Sequence, residues 1–167
     1  HTYFLTEELL VPLMSRYGFV LVEKSEFLDH SLFFAFVKQK NNKDIKIPNE
    51  YLKNKSLFLE YLSFQKMQVD KLNEVISETS KEIFLFGGHI FSQFLVNFGL
   101  NTARLNGILD NSDVKNGKRL YGTRLYISKP DMLSEIQSPM VILKAGQYQE
   151  EIRMQLLNIN DRIEIVE

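Results

Sequence analysis

The stretch from Lys81 to Asn111, KEIFLFGGHIFSQFLVNFGLNTARLNGILDN, constrains the fold of this chain more than any other. An apolar run is followed at once by a glycine pair, then by an apolar helical pattern that ends at Gly99, and then by a second apolar run that ends at Asp110. Strand, turn, helix and strand in this order form a βαβ unit, in which the two strands are parallel. The N–H groups at the start of such a helix point past the end of the first strand, where anions and nucleotides bind. The stretch therefore predicts both a fold and a ligand.

The alternation of strands and helices continues to the end of the sequence. We predict strands at 83–86, 105–109, 124–128, 140–144 and 162–166, and helices at 90–98, 130–136 and 147–157. Such alternation is typical of a mostly parallel sheet with flanking helices. The predicted fold class is α/β with a Rossmann-like sheet.

The first forty residues follow a different pattern. Thr6 precedes apolar residues at helical spacing and Gly18 follows them, which predicts a helix over 6–17. The β-rich runs 19–28 and 31–39, joined by Asp29-His30, predict an antiparallel strand pair. A helix and two strands do not make a stable domain, so we expect this block to need a partner sheet.

A polar stretch rich in Lys and Asn, residues 38–55 with Pro48, predicts a linker. Apolar residues then recur at mixed three and four spacing from 57 to 76, which predicts a long amphipathic helix lying on the following domain. We therefore divide the chain into segments 1–40, 41–80 and 81–167.

Composition argues against several classes of function. The chain has 167 residues with 20 basic and 21 acidic side chains, so no overall positive charge attracts nucleic acid or an anionic membrane. It has no Cys, and no apolar run approaches the roughly 20 residues of a membrane-spanning helix. The start, HTYFLTEELL, lacks the layout of a signal peptide. We expect no nucleic-acid or membrane partner, no metal in this chain and a cytoplasmic location.

Candidate ligand-binding residues lie at the glycine turn and at the end of the second strand. Gly87 and Gly88 stand where a phosphate-binding turn is placed, and Asp110 follows by the roughly twenty residues typical of a ribose-binding acid. The third glycine of a dinucleotide motif is absent, so the turn either binds a pyrophosphate or sugar nucleotide or only shapes the fold. His89, at the positive end of the helix, is expected to be neutral and to cap the helix or contact a ligand. Asn111 is a candidate beside Asp110.

The loop 115–123, KNGKRLYGT, follows the second strand directly. Its three basic residues lie beside two turn glycines, so the loop either closes over an anionic group or forms a solvated surface. Lys118 and Tyr121 are its candidate substrate contacts.

The N-terminal block HTYFLTEELLVPLMSRYGFVLVEKSEFLDHSLFFAFVKQ resembles the end of a class I S-adenosylmethionine-dependent methyltransferase domain. The pieces ILDN, RLYGT and VILKAG-YQEEI together resemble the C-terminal domain of the sugar C-methyltransferase family, which acts on nucleotide-linked deoxysugars. The resemblance implies a zinc-binding domain and a methyl-donor domain upstream, with segment 1–40 as the end of the latter. The resemblance implies S-adenosylmethionine in the full-length enzyme and zinc in the upstream domain, with neither site in this chain. The upstream methyltransferase domain and a nucleotide-sugar-like molecule are the implied partners.

The same resemblance implies a catalytic residue. Family members carry a Glu-His pair before an aromatic segment, and His1 before Tyr3-Phe4 matches the position of the His that removes a proton beside the sugar's keto carbon. Many members have a Gly-Ala-Ser-x-Lys-Gly-like turn where this chain has GGHIF at 87–91. We expect a C-terminal fragment of a C-methyltransferase, inactive alone, whose domain helps to enclose the substrate. The alternative is a non-catalytic Rossmann-like nucleotide-binding or docking module, and a nicotinamide-dependent oxidoreductase is disfavoured by the missing glycine.

Overall fold

The computed structural model describes residues 5–28, 31–39 and 46–167. The chain divides into two compact units, His1–Leu57 and Phe58–Glu167, each of which is considered by itself. The expected catalytic His1 and the predicted Asp29-His30 connection lie outside the described residues.

The first unit contains helix α1 (Glu7–Arg16) and strands β1 (Phe19–Phe27) and β2 (Ser31–Lys38). The strands pair antiparallel, with an irregularity between Leu21 and Glu23, which confirms the predicted helix and strand pair. Gly18 ends α1 with a φ of +79°, a conformation that glycine adopts without steric cost. Phe27 and Phe33 pack edge to face but each remains more than half exposed, so the described residues bury only part of the strand pair.

The helix α2 (Tyr51–Glu78) starts earlier than the apolar spacing predicts and crosses the boundary between the units. The side chain of Asn49 accepts a hydrogen bond from the N–H of Tyr51, and this local bond supports the early start. Within the second unit, Val69, Leu72 and Ile76 of α2 are buried.

The second unit is built on one parallel sheet. Its elements are β3 (Ile83–Phe86), α3 (Ile90–Asn97), β4 (Leu105–Leu109), β5 (Ile127–Ser128), β6 (Met140–Leu143), α4 (Gln149–Ile159) and β7 (Glu164–Val166). The strand order is β5-β4-β3-β6-β7, and every neighbouring pair runs parallel. Counted along the second unit, this is the order 3-2-1-4-5 of the first five strands of a doubly wound sheet, so the predicted Rossmann-like fold is confirmed.

The core consists of two apolar layers, one on each face of the sheet. Alternate residues of β3 separate between them: Ile83 and Leu85 join the layer that contains α2 and α3, whereas Phe84 and Phe86 join the layer that contains α4. All four residues of β3 and of β6 are buried, because these strands lie in the interior of the sheet and are covered on both faces. No helix in the described ranges is long and apolar enough to span a bilayer.

Several elements are shorter than predicted. Only Ile127 and Ser128 of the predicted strand 124–128 join the parallel ladder. The preceding residues instead form a bent-back hairpin, in which the N–H of Leu120 donates to the carbonyl of Leu125 over 3.0 Å. The predicted helix 130–136 is a 3₁₀ helix, Pro130–Glu135, and α4 begins only after a 3₁₀ turn, Gly146–Tyr148.

Candidate functional site

The candidate site lies at the carboxyl edge of the parallel sheet. β3 is followed by Gly87, β4 by Asp110 and β6 by Lys144, and because these strands are parallel neighbours their following loops lie at one edge. β4 and β5 lie on one side of β3 in the strand order, whereas β6 and β7 lie on the other side. The direction in which the chain adds strands therefore reverses between β3 and β6, which makes this point a topological switch. Open α/β sheets bind ligands at such a point. The loops approach closely here, since a Cβ on Gly146 would lie 4.0 Å from the ring of Phe91.

The glycine turn after β3 is sterically restricted at both glycines. Gly87 has a φ of +101°, and its N–H donates to the carbonyl of Leu109 over 2.6 Å. A Cβ on Gly87 would lie 2.0 Å from Nε2 of His89, and one on Gly88 would lie 2.7 Å from Cδ1 of Ile127. Such separations are far below van der Waals contact, so both positions require glycine while these side chains stay in place.

His89 caps helix α3. Its Nδ1 accepts a hydrogen bond from the N–H of Phe91 over 3.3 Å, and its ring meets that of Phe91 edge to face. Burial lowers the pKa of His89, the positive charge of Lys115 lowers it further, and Asp110 opposes this shift. The neutral imidazole is thus favoured, as a capping acceptor requires. The structure shows the capping interaction, while contact of His89 with a ligand stays a prediction.

Asp110 is 7% exposed, and its carboxylate accepts hydrogen bonds from three donors. Its Oδ1 accepts from the N–H of Ser112 over 2.9 Å. Its Oδ2 accepts from the N–H of Gly88 over 2.7 Å and from Nζ of Lys115 over 2.8 Å. Burial by itself would raise the pKa of Asp110, but the hydrogen bonds from Lys115, Ser112 and Gly88 outweigh it and hold the pKa below its ordinary value. The carboxylate is therefore charged at neutral pH and engaged with its own chain.

Two further residues shape this edge without having been predicted. Ser92 is 1% exposed and its hydroxyl donates to the carbonyl of Gly87, which ties the first turn of α3 to the glycine turn. Gln155 of α4 exchanges two amide hydrogen bonds, both of 2.8 Å, with Asn111. Ser92 could have been identified from the sequence, because it is a polar residue within an otherwise apolar helical pattern. No local spacing predicts the contact between Asn111 and Gln155, which are 44 residues apart.

The loop after β4 folds into a hairpin rather than an open lid. The carbonyl of Lys118 accepts from the N–H of Ile127 over 2.8 Å, and Arg119 and Tyr126 form an antiparallel bridge. Lys118 is exposed, and Tyr121 at the hairpin tip is 86% exposed. These backbone bonds fix the base of the hairpin and present its tip to the solvent.

A groove of about 480 Å³ runs between the hairpin tip and α3. Its lining includes Ile90, Gln93, Phe94, Asn97, Tyr121 and Gly122. It offers two amide side chains and one exposed phenol among apolar groups, and none of the described residues that line it is charged. Such a mixture of apolar surface with a few polar groups is typical of small-molecule sites.

The structure thus brings Gly87, Gly88, His89 and Asp110 together at the glycine turn and places Asn111 against α4. Lys118 and Tyr121 lie on the hairpin. Among the residues that the structure describes, no group of three or more His, Asp or Glu side chains could hold a metal ion.

The protein family described as the C-methyltransferase C-terminal domain matches residues 37–163, well over half of the chain. The matched range includes the glycine turn, Asp110, the hairpin and the groove. No curated protein matches the chain.

Proposed function

The chain belongs to the C-methyltransferase C-terminal domain family, and from this premise we propose that it covers the substrate in an S-adenosylmethionine-dependent C-methyltransferase. The substrate class we propose is a nucleotide-linked sugar or a similar small molecule. In this proposal the methyl donor is bound by another domain of the same protein, which is the partner of this chain.

The residues at the glycine turn do not fit the methyl donor. A donor or dinucleotide site of this fold uses the acid after the second strand to hold ribose hydroxyl groups. Here that acid, Asp110, already accepts hydrogen bonds from Gly88, Ser112 and Lys115 and is almost fully buried. We therefore place no step of methyl transfer at this turn.

The groove beside the hairpin tip is the observation that carries the proposal. Gln93 and Asn97 lie one helical turn apart on α3 and supply amide donors and acceptors, and Tyr121 lines the same groove. A sugar ring presents hydroxyl groups at its rim and C–H groups on its faces, so amide groups and an aromatic ring suit it together. Lys118 is exposed on the same hairpin, and we propose that it contacts an anionic part of the substrate. Tyr121 and Lys118 are thus the proposed substrate contacts, and Gly87, Gly88, His89, Asp110 and Asn111 hold the edge in shape.

Steady-state kinetics of the whole enzyme test this proposal. Replacing Tyr121→Ala removes a ring contact, and we expect KM for the sugar substrate to rise about 10-fold, which corresponds to about 1.4 kcal/mol of binding energy. The matched control is Tyr126→Ala, which removes another exposed tyrosine of the same hairpin that does not line the groove. An unchanged KM in Tyr121→Ala, or equal changes in the two variants, would count against the groove as a substrate site.

A docking module without ligand contact is the second candidate. The internal hydrogen bonds of Asp110 and the capping bond of His89 favour it, because both side chains act on the chain itself. If this candidate is correct, Tyr121→Ala leaves KM unchanged and weakens the association with the donor-binding domain, which a pull-down of separately expressed domains measures.

A further inference from the structure

The donors that surround Asp110 form an arrangement suited to an anion. Two backbone N–H groups, of Gly88 and Ser112, and the ammonium group of Lys115 converge on this one carboxylate at 2.7–2.9 Å. Glycine turns in nucleotide-binding proteins use backbone N–H groups and a lysine in this way to hold a phosphate. In this chain the anion that these donors bind is a side chain of the protein itself, the carboxylate of Asp110.

A second side chain, that of His89, also fills space at the turn. The imidazole of His89 occupies the space above the α-carbon of Gly87, where a Cβ would lie 2.0 Å from Nε2. The same ring accepts a hydrogen bond from the N–H of Phe91 at the start of α3. The N–H of Gly87 donates to the carbonyl of Leu109, so it is not available to a ligand. A phosphate at this turn would have to displace both the Asp110 carboxylate and the His89 imidazole.

We propose that the Asp110 carboxylate is an internal anion that occupies the phosphate position of the glycine turn, so that this turn accepts no phosphate from a ligand. An incoming phosphate would compete for three donors that are already held within the chain, and it would lie beside a negative charge. Burial strengthens this exclusion, because Asp110 is 7% exposed and solvent screens the charge of a buried carboxylate less than that of an exposed one. The inference deepens the proposed function: a nucleotide-linked substrate presents its sugar to the groove at Tyr121 and keeps its phosphate groups away from Gly88.

Two-dimensional NMR of the ¹⁵N-labelled chain tests the inference directly. Inorganic pyrophosphate and uridine diphosphate are the probes, and sodium chloride at equal ionic strength is the reference. We expect the amide signals of Gly87, Gly88 and Phe91 to move no more with the probes than with chloride. A saturable movement of the Gly88 signal would overturn the proposal.

Removal of the internal anion provides the second test. Asp110→Ala leaves the donors of Gly88, Ser112 and Lys115 without an acceptor, so the urea midpoint should fall and formate should restore part of the loss. With a dissociation constant of about 10 mM, about 100 mM formate would raise the folding equilibrium constant about 11-fold. The matched control is Asp113→Ala, which removes the same charge from the same loop, where the side chain is 93% exposed. Equal formate responses in the two variants, or no formate response in Asp110→Ala, would contradict an anion position at Asp110.

The two proposals fail in different experiments. Uridine diphosphate that binds the chain in calorimetry without moving the Gly88 signal supports both. Binding that moves the Gly88 signal refutes the internal anion and leaves the substrate-covering role intact. An unaltered KM in Tyr121→Ala with an unmoved Gly88 signal refutes the groove and leaves the internal anion intact. Should Asp110→Ala fail to fold, the NMR measurement on the unaltered chain decides the matter.

Discussion

Substitution of Gly87 by alanine tests the geometry of the turn, because the added Cβ has two separable effects. Gly87 has a φ of +101°, and a residue with a Cβ in this region is strained by about 1–2 kcal/mol. The Cβ would also lie 2.0 Å from Nε2 of His89, so the imidazole must swing away. Its departure removes the acceptor for the N–H of Phe91, at a cost of about 1 kcal/mol for a lost helix cap. Gly87→Ala should therefore destabilise the chain by about 2–3 kcal/mol.

Gly99 offers a matched control for the backbone effect. Its φ is +97°, close to that of Gly87, and a Cβ built on it meets nothing within 4 Å. Gly99→Ala should therefore cost only the strain of about 1–2 kcal/mol. The difference between the two variants, about 1 kcal/mol, measures the displacement of His89.

A double-mutant cycle isolates the contact between Gly87 and His89. His89→Ala alone removes the cap and should cost about 1 kcal/mol. In Gly87→Ala/His89→Ala the cap is lost only once, so the double variant should be about as stable as Gly87→Ala, with a coupling free energy of about 1 kcal/mol. Urea denaturation followed by circular dichroism gives each free energy of unfolding, provided that the m-value is unchanged. Additive losses, or equal losses in Gly87→Ala and Gly99→Ala, would refute this account of the turn.

The central strands were predictable from the sequence because their surroundings are simple. β3 is buried on both faces, so each residue of IFLF is apolar, and the glycine pair and Asp110 mark where β3 and β4 end. In contrast, the predicted strand 124–128 contributes only two residues to the sheet. The apolar character of Leu120, Leu125 and Ile127 indicates that these side chains are buried or partly buried. It does not indicate whether a hairpin or a parallel strand buries them. Periodicity cannot distinguish the two pairings.

The site was predictable in position but not in its interactions. The sequence places Gly88 after the first strand and Asp110 after the second, and because parallel neighbouring strands end at one edge, the two meet, with the Gly88 N–H donating to the Asp110 carboxylate over 2.7 Å. Its bonds to Ser112 and Lys115 depend on the path of a loop, and no spacing rule fixes that path. The spacing that predicts a ribose-binding acid is therefore equally compatible with an acid that binds its own turn. The roles of these residues in substrate binding stay predictions.

Two further measurements follow from the same contacts. Calorimetry of this chain with S-adenosylmethionine should show no saturable heat, because the carboxylate of Asp110 already accepts hydrogen bonds from Gly88, Ser112 and Lys115. A clear binding isotherm would contradict the proposal that another domain binds the methyl donor. The second concerns pH and the neutral cap at His89. The pKa of His89 lies below the ordinary value of 6.5, mainly because the imidazole is buried and also because the positive charge of Lys115 is near. The unfolded chain therefore binds a proton at His89 more readily than the folded chain does. The resulting stabilisation is fully present above about pH 6.5 and is lost as the pH falls through the lowered pKa. His89→Asn keeps a capping side chain that does not titrate. The difference in unfolding free energy between the unaltered chain and this variant should be constant above about pH 6.5 and should decline below it, whereas a rise on acidification would show that the folded chain favours the imidazolium form.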